Sequence, residues 1–380
     1  MTRAPPAPQP AGADPARRRG VAWWRLPLLA FGFVALFVGT GAGLARLGWA
    51  MPDAASAAAA LHGPLMICGF FGVVIALERA VAIGRAWAYG GPLLAGLGTA
   101  ATLHGAAPAA PWLYLAGSLL LLAASLDVLR RQRERFMLVI AVAAACWTIG
   151  TAWWAAGAAV HQVVGWWLAF LVLTIAGERL ELSRFMPPSR TAQRVFDAIV
   201  VALLAGLLAW STAWGAPLAG AALLALAAWL LRQDIARRTV RQQGLTRFIA
   251  VCLLSGYFWL GTGGALIAVF GLVPGTAAYD AALHALLLGF VFAMVFGHAP
   301  IIFPAVLRVA VPYHPVFYAP LVLLHLSLVL RLAGDAGGGF ELRRWGALLS
   351  ALALAGFIAN TVAAVLRGRR SRSPAGTRAG

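Results

Sequence analysis

Twelve apolar runs, each near the length a helix needs to cross a bilayer, fill almost the whole of this 380-residue chain. A spanning helix takes about twenty residues. The runs fall near 26–48, 56–79, 89–106, 111–129, 136–157, 161–182, 194–213, 216–233, 246–270, 280–303, 317–333 and 343–366, joined by short connections. Only 11% of the residues are charged and 62% are hydrophobic, against about a quarter charged in soluble chains. The pattern predicts an all-α polytopic membrane protein.

The net charge of +18 invites a nucleic-acid reading, but its placement argues against one. All thirty basic residues are arginine, and most lie in alternate connections. Those after the second, fourth, sixth and eighth runs carry Arg79 and Arg85; Arg130, Arg131, Arg133 and Arg135; Arg184 and Arg190; and Arg237, Arg238 and Arg241. Those after the first, third, fifth, seventh and ninth are nearly free of arginine. Cytoplasmic loops carry such an excess, so the count is even, both termini are cytoplasmic, and the expected location is a bacterial inner membrane. Arg343 and Arg344 break the pattern, with Asp335 and Glu341 beside them as partial offset.

Residues 1–22 and 367–380 read as disordered basic tails, and 23–366 as one membrane domain. Arg17 to Arg19 precede the first run, which is long for a signal segment and lacks a clean small-residue cleavage site. A retained first helix follows. Cys68, Cys146 and Cys252 each lie inside an apolar run and read as small buried residues. The tryptophans gather at run ends, as in an interfacial aromatic belt.

Histidines mark a repeat. His62, His161 and His284 open the second, sixth and tenth runs, one in every four. The chain therefore divides into three four-helix blocks, about 23–130, 131–235 and 243–366, expected in a pseudo-threefold arrangement. The second helix of each block also ends on polar residues: Glu78-Arg79, Glu178-Arg179, and His298. At 1.5 Å per residue these lie roughly 21–25 Å from the opening histidine, near the opposite face. Ionisable residues inside a bilayer are costly and mark function.

Imidazole is a good axial ligand for haem iron and for copper. His62 and His284 are chosen as the pair that holds a haem between two helices, with His161 as a third candidate. Gly63, Gly69 and Gly72, and Gly289 and Gly297, would let helices or a flat macrocycle approach closely. His298, between Gly297 and Pro300, reads as a second metal ligand, part of a proton path, or a helix-end histidine; Pro300 and Pro304 should break or kink its helix. His325, mid-run in the eleventh helix, reads as a metal ligand or a hydrogen-bonded core residue, and His104 and His314 as loop residues. For the Glu-Arg pairs, an interhelical ion pair stands beside a proton inlet or a propionate-binding arginine, and Arg46 is a further propionate candidate.

Twelve helices with histidines on the second, sixth and tenth resemble the large subunit of the haem–copper oxidases, without its His-His pair or copper ligands. A closer resemblance is to the NnrS family of twelve-helix membrane proteins. Its second-helix motif is matched by His62, Met66, Gly69 and Phe70, with Pro64 in place of a second histidine and Leu65 in place of a glutamate. Its tenth-helix motif is matched by His284, Ala285, Leu286, Gly289, Met294 and Gly297. The resemblance implies b-type haem, with copper as the lesser candidate, an unidentified redox partner, and a role in nitric oxide metabolism, nitrosative stress or electron transfer. The rival readings are a secondary transporter of a small solute and a cofactor-free assembly or sensor protein.

Overall fold

The computed structural model describes residues 21–182 and 188–370. The two basic tails as far as residue 20 and beyond 370, and Arg184, lie outside the described residues. Among those described there is no strand. The bundle elements are α1 (Leu26–Ala45), α2 (Ala59–Ile83), α3 (Gly90–Leu103), α4 (Ala110–Arg131), α5 (Arg135–Ala155), α6 (Val160–Leu182), α7 (Arg190–Leu208), α8 (Gly215–Gln233), α9 (Gly244–Phe270), α10 (Ala277–Leu307), α11 (Tyr318–Gly337) and α12 (Phe340–Arg370). All but α3 are long and apolar enough to cross a membrane. The shorter α3 continues a 3-10 turn over Ala86–Tyr89 and packs between α2 and α4. Outward faces carry bare apolar side chains such as Val201, Leu208 and Val269, the surface a lipid bilayer solvates.

Local chemistry sets several helix ends. Pro27 and Pro111 sit in first turns, where a missing N–H costs nothing. Gly84 and Gly338 end α2 and α11 in the left-handed region, at φ 69° and 68°. Pro300 and Pro304 do not break α10, contrary to the expectation from sequence: the helix runs through both and ends at Leu307. In a packed membrane bundle, neighbours and local adjustments re-satisfy the carbonyls a proline frees. The stop comes at Arg308, left-handed at φ 57°, whose amide donates to Pro304 at 2.9 Å.

Sequential neighbours pack side by side, and α6 and α10 are the most buried of the long helices. At the centre α10 touches both α2 and α6. Close approach is bought with glycine at the α8–α9 contact: a Cβ on Gly220 would lie 2.3 Å from the Ala268 amide nitrogen. The start of α1 and the end of α12 both meet the chain leaving α10. The Ala22 amide donates to Leu307 O at 3.1 Å, and Arg25 Nη1 donates to Val306 O at 2.7 Å. A Cβ on Gly368 would touch the Ala310 carbonyl oxygen at 3.0 Å. Both ends of the bundle therefore lie on one side, the side of the arginine-rich connections, here called the inner end.

At the outer end α12 closes on α1. Trp49 packs edge-on against Trp345 at 5.2 Å, and its indole N–H donates to Arg344 O at 3.3 Å. The two misplaced arginines are absorbed there. Arg343 lies 3.5 Å from Asp335, and Arg344 lies 3.5 Å from Glu341 with its guanidinium 4.2 Å from the Trp49 ring centre. Each of the two therefore has an acidic partner close by at the outer end.

Candidate functional site

The helices that carry His62 and His284 share an unusual local form. Three residues after His62, Leu65–Phe71 of α2 wind as a π-helix; directly after His284, residues Ala285–Phe292 of α10 do the same. Such segments are rare and concentrate at functional sites. Both histidines lie at the outer end of the central pair, and their rings face each other at 6.4 Å between centres, 17° from parallel. Eight residues further along each helix, Phe70 and Phe292 stack at 5.8 Å and 2°. The equal offset makes α2 and α10 structural equivalents.

Each imidazole is held by its Nδ1. That of His62 hydrogen-bonds the Gly39 carbonyl of α1 at 2.6 Å, and that of His284 the Asp280 carbonyl one turn earlier at 2.8 Å. A ring that gives its Nδ1–H to a carbonyl presents Nε2 as a lone pair, the arrangement that orients metal-ligating histidines. Two imidazoles on opposite sides of one metal ion, with bonds of about 2 Å, place their ring centres about 6 Å apart. The donor type and the ring spacing are compatible with a shared metal ion. Glycine at 43 is required for this: a Cβ there would lie 2.8 Å from His62 Cε1.

Charged residues brace the pair. Arg331 of α11 donates to both oxygens of Asp280, from Nε at 2.7 Å and Nη2 at 2.9 Å. Asp280 Oδ1 lies 3.4 Å from His284 Nδ1. Asp280 and Arg331 were not singled out from sequence, although Asp280 stands one helical turn from His284 and that spacing was readable.

Other histidines are elsewhere. His161 opens α6 in an exposed position and does not join His62 and His284. Its neighbours Ala159 and Gln162 are exposed as well, so the start of α6 stands at the surface. His325 has both ring nitrogens in use: Nδ1 accepts from Trp259 Nε1 at 2.9 Å, so Nε2 carries the proton and bonds Ser255 Oγ at 2.9 Å. That leaves it no lone pair for a metal, and it is a hydrogen-bonded core residue. His104 caps the end of α3, and His314 accepts from the Val316 amide in the turn before α11. The three cysteines are buried and unpaired with one another. The glycine gaps are filled by protein rather than left for a macrocycle: Ala35 at Gly69, Trp147 at Gly72, Trp259 at Gly289 and Cys252 at Gly297.

The inner end holds a second group. Glu78, Glu178 and His298 converge, with one donor atom of each within 4.8 Å of the others. Between this trio and the Phe70–Phe292 pair lies a cavity of about 720 Å³, walled mainly by apolar side chains. Its lining includes the exposed Phe37 of α1 and Val362 of α12, so it opens sideways between those helices. The interhelical ion pair expected at Arg179 is present, with Asp234 as its partner. Its Nε and Nη2 donate to Asp234 at 2.7 and 3.1 Å, and the Tyr257 hydroxyl donates to the same carboxylate at 2.6 Å.

The sequence from residue 25 to 366 matches a family described as "Domain of unknown function (DUF8744)". The chain belongs to this family. No curated protein matches it. The match covers α1 to α11 whole and α12 as far as residue 366, and both polar groups lie within it.

Proposed function

We propose that this DUF8744 protein is an NnrS-like haem-binding protein of the bacterial inner membrane, acting in nitric oxide handling or electron transfer, with His62 and His284 as the residues that would hold a b-type haem. The observation that carries the reading is the facing pair itself: two imidazoles 6.4 Å apart on equivalent helices, each anchored through Nδ1 so that Nε2 is free. When bound, a haem held by both histidines would supply one-electron chemistry. The chain's own residues do the rest. Gly39 and Asp280 fix ring orientation through their carbonyls. Arg331 holds the Asp280 carboxylate beside His284. Phe70 and Phe292 separate the pair from the cavity.

The test is a reduced-minus-oxidised visible spectrum of the full chain purified in detergent from haem-replete cells. A b-type Soret and alpha band, lost in His62→Ala and in His284→Ala but retained in His161→Ala, is the expected result. A colourless, folded wild-type protein, or a band that survives both substitutions, overturns the reading. The sideways-opening cavity favours one rival, a transporter of a small solute. A colourless protein that moves solute across vesicles would establish it.

A further inference from the structure

The trio at the inner end comes from three helices far apart in sequence: Glu78 from α2, Glu178 from α6 and His298 from α10. These are the repeat-equivalent ends of the second helix in each block, so the triplication that loses His161 at the outer end is complete here. His298 Nε2 lies 3.9 Å from Glu78 Oε1 and 3.9 Å from Glu178 Oε2. These separations exceed a hydrogen bond. They approach the roughly 3–3.7 Å between neighbouring donors that each bind one metal at about 2.0–2.2 Å. Closing the difference takes less than about an ångström, within reach of side-chain torsions.

Charge argues the same way. Two carboxylates on the wall of a largely apolar cavity are costly unless a cation meets them. The Arg179 guanidinium is committed to Asp234, and Arg79, near enough to act on Glu178, offsets only part of the charge of two carboxylates. About a third of each side chain in the trio remains exposed, 36% for His298, 32% for Glu78 and 29% for Glu178, so an ion can reach the donors. The cavity beyond leaves room for further ligands, as in metal sites that keep open positions.

We infer that Glu78, Glu178 and His298 bind one divalent first-row transition-metal ion at the inner end of the cavity. One imidazole and two carboxylates form a borderline nitrogen–oxygen set suited to Zn²⁺, Mn²⁺ or Fe²⁺, not to Cu⁺, which prefers sulfur. Two carboxylates balance the charge of the ion. The site is separate from the histidine pair and does not depend on it.

The experiment uses the full-length protein in detergent, stripped with chelator, loaded with Zn²⁺, desalted, and assayed for zinc by mass spectrometry. One zinc per chain is expected in the wild type. Glu178→Gln and His298→Ala should each weaken binding at least tenfold, while His62→Ala keeps its zinc. The haem band should persist in Glu178→Gln, so loss of zinc and loss of haem are separate outcomes. Zinc absent from the wild type, or retained at one equivalent in both trio variants, overturns the assignment. Should His298→Ala not fold, Glu78→Gln and Glu178→Gln, which keep side-chain size, decide. Zinc-edge absorption of the wild type should then show nitrogen and oxygen neighbours and no sulfur; a sulfur neighbour also overturns it.

Discussion

Asp234→Asn should be the most damaging near-isosteric change at the inner end. The Asp234 side chain is 2% exposed and its Arg179 partner 11%. The carboxylate accepts four hydrogen bonds: two from Arg179, one from Tyr257 at 2.6 Å and one from the Ala236 amide at 2.7 Å. Together they tie α6, the α8–α9 connection and α9. Asparagine keeps the shape but turns one acceptor into a donor facing N–H or O–H groups. It also leaves the guanidinium buried without a counter-charge. Breaking a buried pair from one side costs about 3–5 kcal/mol. Tyr257→Phe removes a single bond to a charged acceptor, about 1.5–3 kcal/mol. The predicted order is therefore Asp234→Asn worse than Tyr257→Phe. Removing both charges, as in Arg179→Met with Asp234→Leu, should cost less than the two single changes added together by about 2 kcal/mol or more. Reversible unfolding in mixed micelles with rising dodecyl sulfate, followed by circular dichroism, reads these differences. An Asp234→Asn protein within about 1 kcal/mol of wild type, or strictly additive double-mutant energies, would refute the claim that this pair locks the inner end.

Two glycine substitutions probe other contacts. Gly43→Ala would press a methyl against the His62 ring and displace it from the Gly39 carbonyl. Haem affinity in the purified protein should fall about 10- to 100-fold, the range for disturbed outer partners of a metal ligand, whereas Gly63→Ala, whose Cβ meets only Val160 at 3.7 Å, should leave it unchanged. Gly220→Ala would set a Cβ against the α9 backbone, 2.6 Å from the Gly264 carbonyl oxygen. The helices must part, at about 1–3 kcal/mol, measured as a lower midpoint in the same unfolding assay.

Much of the fold was legible in the residues because its cause is local. Length and hydropathy of each run decide whether it spans a bilayer, and that property belongs to the run alone. The start of α1 and the end of α12 meet beside one connection, the placement the alternation of arginines leads one to expect. The paired histidines on α2 and α10 were legible for the same reason, since a repeat in sequence carries a residue to the same height in each block.

Height on a helix is what a sequence alone determines here; which way a side chain turns, and who meets it, is decided by packing. His161 lies with exposed Ala159 and Gln162 at the start of α6, so it stays at the surface. The glycines that could admit a helix or a macrocycle meet protein side chains, Trp147 at Gly72 and Trp259 at Gly289 among them, and the interhelical partner of Arg179 is Asp234. Asp280 and Arg331, and the Glu78–Glu178–His298 trio, are partners only in three dimensions. A partner's distance and angle depend on the rotation of two helices at once, and no periodicity within either one encodes that.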